Sequence, residues 1–121
     1  MHHVILDAPD PTALAEFYSA LLGLPITYTD DDFAVVSVST TTSGIAFQRS
    51  NAVPPSWPDD GPLLIHMDVM VDAVDVAVDD VIRLGARVLR RDDGCCVLAD
   101  PAGHPFCLIP RPHWAPPVNA T

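Results

Sequence analysis

The chain has 121 residues, 49% of them apolar, and six basic side chains against sixteen acidic ones give it a formal net charge of −10. That length is one ordinary domain with enough apolar residues to build a core. The acidity excludes nucleic acid and anionic membrane surfaces as partners, because both need a basic face. Val4-Ile5-Leu6 opens the chain as a short buried strand, broken by Asp7-Ala8-Pro9-Asp10-Pro11. Asp10 is a helix N-cap with Pro11 at the first helical position, and Leu14, Phe17, Tyr18, Leu21 and Leu22 make an apolar stripe that Gly23 ends. Strands are expected at Ile26–Thr29, Phe33–Ser39 and Ile45–Arg49, separated by Asp30-Asp31-Asp32 and by the polar turn Thr40–Gly44.

The second half repeats this order. A strand over Leu63–Val71 leads to an N-cap at Asp72. The helical stripe is Val74, Ala77, Val78, Val81 and Leu84, and Gly85 is its stop. Strands follow at Arg87–Arg90, Cys95–Ala99 and His104–Ile109. Asp10 to Gly23 and Asp72 to Gly85 span the same number of residues, as do Gly44 to Gln48 and Gly103 to Cys107. A duplicated βαβββ unit is therefore expected. Residues 51–62 carry Pro54, Pro55, Pro58 and Pro62, too many for a helix or a sheet interior, and read as the crossover between module 1 (about 2–50) and module 2 (about 63–110) of one domain. The tail 111–121 should be extended, loosely packed through Trp114 and frayed at Ala120-Thr121.

Cys95 and Cys96 are adjacent and the only other cysteine is Cys107, so no full disulfide set is possible and a reducing, cytoplasmic setting is expected. No apolar run reaches the ~18 residues of a membrane helix. The opening MHHVILDAPDP lacks the basic region and apolar core of a signal peptide.

The spread of His3-Val4, Asp10, Phe17-Tyr18, Leu22-Gly23-Leu24, His66-Met67-Asp68-Val69, Leu84-Gly85-Ala86 and Asp100-Pro101-Ala102-Gly103-His104-Pro105-Phe106 resembles the vicinal oxygen chelate superfamily, the glyoxalase, bleomycin-resistance and dioxygenase group. It is most similar to small glyoxalase-like proteins carrying Phe47-Gln48-Arg49 and Cys107 in these places. The resemblance implies an α+β fold in which two βαβββ modules form a curved, barrel-like mixed sheet around a cavity, with the helices on the convex face. It also implies a small-molecule ligand and a homodimer.

Strand alternation names the residues facing that cavity. His3, Ile5 and Asp7 share one face of the first strand, and Gln48, His66, Asp68 and Cys107 fall on the corresponding faces of theirs. His3, Gln48, His66 and Cys107 match positions that hold a divalent metal in metal-dependent relatives. The implied metal ligands are His3, His66 and Cys107, with Zn, Ni, Fe or Mn as the ion. Gln48, Asp68, Trp57 and Phe33 are candidate ligand-binding residues. Two departures stand out: the carboxylate that those relatives carry on the last strand is here Cys107, and the fourth strand offers Gln48. Neither readily replaces a carboxylate as a proton shuttle. Two functions follow. One is a metal-dependent lyase, isomerase or dioxygenase using His3 and His66. The other is a metal-free module that sequesters a drug or metabolite, in which both imidazoles are hydrogen-bonded cavity residues.

Overall fold

Two copies of one hydrogen-bonding pattern make up the chain in a computed structural model that describes residues 2–54, 56–59, 61–63 and 65–115. It separates into two compact units, Met1–Pro54 and Pro55–Thr121. The first holds β1 (His3–Ala8), α1 (Pro11–Leu22), β2 (Ile26–Thr29), β3 (Phe33–Val36) and β4 (Gly44–Arg49). The second holds β5 (Met67–Val71), α2 (Val74–Leu84), β6 (Arg87–Asp92), β7 (Cys95–Ala99) and β8 (Pro105–Pro110). The strand orders are β1-β4-β3-β2 and β5-β8-β7-β6. In each sheet the first strand runs parallel to the last, and the remaining pairs are antiparallel. The duplicated α+β βαβββ architecture is thus present in both halves.

Both helices stop at a left-handed glycine, Gly23 with φ 68° and Gly85 with φ 114°, a backbone state that residues with a Cβ seldom adopt. Their starts differ. Asp10 Oδ1 accepts the N–H of Ala13 at 3.1 Å. The expected cap at Asp72 is not formed: Ala73 is the N-cap, with no side-chain bond, while Asp72 Oδ1 accepts Nε of Arg111 at 2.8 Å. A charge-assisted bond to a guanidinium outcompetes a single backbone N–H. Asp10→Ala should therefore cost about 1 kcal/mol, the usual worth of an N-cap, in urea unfolding. Asp72→Ala should leave the helical circular dichroism intact and loosen the 111–115 turn.

Leu14, Phe17 and Tyr18 of α1 are buried with Ala34, Val36 and Phe47 of the sheet, and the Tyr18 and Phe47 rings stack at 5.4 Å. α2 buries Val78 and Val81, and β7 and β8 bury Leu98, Phe106 and Leu108. Leu84, expected in the stripe, is 40% exposed, so burial ends one turn earlier. β3 stops at Val36 rather than Ser39, because Ser37 turns its hydroxyl to Thr27 (2.6 Å) and to the Ser39 carbonyl (2.8 Å). β5 begins at Met67 rather than Leu63. Met67 pairs with Phe106, and the residue before that is Pro105, which has no N–H to donate. β6 extends to Asp92, two residues past its expected end.

The two sheets share an irregularity that alternation misses. β2 shifts register between Ile26 and Tyr28, and β6 between Val88 and Arg90. Tyr28 and Arg90 each lie five residues after their helix-ending glycine, so the bulge recurs at the same place in both repeats. A bulge inserts one extra residue and sends the following side chain to the opposite face. In the tail, Arg111 N–H bonds the Val71 carbonyl (2.9 Å) and Ala115 N–H that of Pro112 (3.0 Å). Trp114 is 70% exposed and does not anchor the tail. Ala120-Thr121 lie outside the described residues.

Candidate functional site

In the second unit the parallel pairing of β5 with β8 sets Asp68 beside Cys107, and β7 sets Val97 beside Cys107. These residues share the face away from α2, whose own side is marked by buried Phe106 and Leu108. Cys95 falls on the open face, whereas Cys96 pairs with Leu108 and is buried. The open face, with Trp57, Pro58 and Pro62 of the crossover, lines a cleft of about 700 Å³ that also takes in His66, Asp68, Arg90, Asp92, Cys107 and Ile109.

His66 immediately precedes β5, and the spacing of two puts it on the side of Asp68. Its Nε2 lies 3.3 Å from Asp68 Oδ1. One donor atom each from His66, Asp68 and Cys107 lie within 4.8 Å of one another. Burial, and then the Asp68 carboxylate, push the Cys107 thiol up from 9.0 to about 11. It is a neutral thiol at pH 7. In a Cys95→Ser, Cys96→Ser background, alkylation of Cys107 by iodoacetamide should stay slow through pH 9 and accelerate only as pH approaches 11. A raised thiol pKa also means that stability is complete below pH 9 and falls as pH rises through 11.

Arg90 belongs to the cleft lining. The β6 bulge places it opposite Val97, on the cleft face. Its guanidinium lies 4.7 Å from the Trp57 ring centroid and bonds Asp92 through Nε at 3.0 Å. Trp57 therefore forms a wall of the cleft. His104 is partly buried, with Nδ1 2.9 Å from Oδ2 of the buried Asp100; it fastens the Asp100–Gly103 turn.

The other predicted residues belong to the first unit. His3 lies with Thr27, Tyr28, Phe33, Val35 and Thr42 in a pocket of about 570 Å³ on the face away from α1. Its Nδ1 accepts the backbone N–H of Gly44 at 3.2 Å. Gln48 pairs with Phe33 and lines a depression with Asp30-Asp31-Asp32 and Arg49 that shares Asp30 and Phe33 with the His3 pocket. Tyr28 enters the His3 pocket through the β2 bulge and donates to Asp30 Oδ2 at 2.5 Å. That hydrogen bond holds the Asp30 carboxyl below the ordinary range and raises the Tyr28 phenol. The structure thus gathers His66, Asp68, Cys107 and Trp57 in one cleft and His3 with Phe33 in another pocket. Tyr28 and Arg90, with Thr27, Thr42 and Asp92, are among the pocket residues that sequence reasoning missed.

Residues 3–109 match the family described as glyoxalase-like domain, and the chain belongs to that family. No curated protein matches it. Among solved structures it is similar to a glyoxalase-related enzyme from Fulvimarina pelagi, at 16% identity and TM-score 0.72, covering 100% of this chain and 94% of that one. It is also similar to the fosfomycin resistance protein FosX of Mesorhizobium loti, at 14% identity and TM-score 0.67, covering 93% and 92%. A third likeness is the trypanothione-dependent glyoxalase I of Leishmania major, at 18% identity and TM-score 0.63, covering 91% and 85%. At these identities the likeness is one of fold. Among the described residues no helix is long and apolar enough to cross a membrane.

Proposed function

We propose that the chain is a glyoxalase-like protein that binds a small molecule in the cleft of its second unit beside a divalent metal held by His66, Asp68 and Cys107, and that it acts as a lyase, isomerase or dioxygenase. The observation carrying this reading is the convergence of an imidazole nitrogen, a carboxylate oxygen and a sulfur within 4.8 Å at that cleft. This donor set fits the chemistry of Zn²⁺, and three protein ligands leave a position open, as catalytic zinc sites do. Asp68 supplies the carboxylate that the last strand lacks. When bound, the metal would act as a Lewis acid on a ligand oxygen. The chain's own part is to hold that ligand. Trp57 and Ile109 supply apolar walls, and Asp92 orients the Arg90 guanidinium on the Trp57 face. On the first unit, Gln48 and Phe33 offer a polar and an aromatic contact. A cytoplasmic homodimer is the accompanying expectation. The family resemblance supports the dimer, as do Val4 and Ile5, 44% and 49% exposed on an edge strand.

A second reading, metal-free sequestration of a drug or metabolite, draws on the Cys107 thiol near 11 and on the mutual satisfaction of His66 and Asp68. Metal analysis of protein purified without chelator decides between them. Near-stoichiometric zinc, nickel, iron or manganese, lost in His66→Ala, supports the first; metal-free protein that still binds ligands supports the second.

A further inference from the structure

His3 stands at a position where metal-dependent relatives place a ligand, yet its hydrogen bonding has the opposite polarity. A metal-bound imidazole normally coordinates through one nitrogen and donates the N–H of the other to a carbonyl or carboxylate. Nδ1 of His3 instead accepts, from the backbone N–H of Gly44 at 3.2 Å. That bond uses the Nδ1 lone pair, and in a neutral imidazole it puts the proton on Nε2. Neither nitrogen then offers a lone pair to a metal. The Gly44 N–H is fixed in place. A Cβ on Gly44 would meet the Val36 carbonyl oxygen at 2.2 Å and the Ser37 Cβ at 2.6 Å, so the strand can approach β3 this closely only as glycine.

We propose that His3 is a hydrogen-bond donor to a ligand oxygen, its tautomer set by Gly44, and not a metal ligand. His3 lines a pocket with Thr27 and Thr42 and with Tyr28, Phe33 and Val35. That combination suits a ligand with a flat apolar part and an oxygen acceptor such as a carboxylate or carbonyl. The inference rests on the reading that the metal belongs to His66, Asp68 and Cys107, and it separates His3 from that site.

The test is ¹⁵N spectroscopy of histidine-labelled full-length protein, with and without zinc and then with benzoate. For His3 the expected result is an unprotonated Nδ1 and a protonated Nε2, unchanged by zinc, while the His66 resonances move. Zinc stoichiometry should persist in His3→Ala and vanish in His66→Ala. Benzoate should shift the His3 Nε2–H. Its affinity should fall about tenfold in His3→Ala, the scale of one hydrogen bond to a charged group, and recover in His3→Gln, which keeps an N–H donor. Zinc-induced loss of the Nε2 proton, loss of zinc in His3→Ala, or no response of Nε2–H to benzoate overturns the proposal. If the wild-type protein takes up no zinc, the metal reading fails by itself. A protonated Nε2 that responds to benzoate still carries this one.

Discussion

Phe47→Ala is expected to destabilise the first unit by about 3–5 kcal/mol, the range for truncating a fully buried aromatic side chain. Phe47 is completely buried on β4, and its ring stacks on Tyr18 of α1 at 5.4 Å. The substitution removes both the transfer free energy of the ring and the surface against which the helix rests. Ala34, the partner of Phe47 on β3, is too small to fill the space. Phe106 of the second unit is equally buried and should behave alike. Urea unfolding followed by circular dichroism measures both. A loss below about 1 kcal/mol in either variant would mean that the helix–sheet interface is not the core of its unit.

The second large effect is metal linkage. Zinc that binds only the folded state should stabilise the protein by about 2.7 kcal/mol at a free concentration one hundred times its dissociation constant. Excess EDTA should reverse the shift in melting temperature. His66→Ala and Cys107→Ala should each abolish the response, because each removes one of three donor groups. Zinc binding should also deprotonate the Cys107 thiol, whose pKa without metal is near 11, and release a proton measurable in weakly buffered solution. A melting curve indifferent to both zinc and EDTA would leave the cleft as a metal-free binding site.

The repeat was legible because its signals are local. Asp10 caps a backbone N–H three residues on, Gly23 and Gly85 act through their own backbone, and the apolar stripe of α1 needs no knowledge of its partner. Strand alternation correctly put His66, Asp68 and Cys107 on one face, since β5 and β8 run without irregularity. It gives no access to Tyr28 and Arg90, because a bulge depends on the pairing of two strands and leaves no mark in one of them. Asp72 failed for a related reason: its competitor, Arg111, is distant in sequence. The ligand set implied by resemblance named residue types and not their hydrogen bonds, so nothing in it could show that His3 Nδ1 accepts from Gly44.

The recurring bulge has a consequence for how the protein can change. Tyr28 and Arg90 are delivered to the pocket-lining faces by a backbone kink rather than by the pleat, at equivalent steps of a doubled plan. Replacing either one alters the chemistry presented to a guest while every inter-strand bond stays as it was. The duplication has left two independent dials, one phenolic and one cationic, that selection or an engineer can turn without disturbing the scaffold.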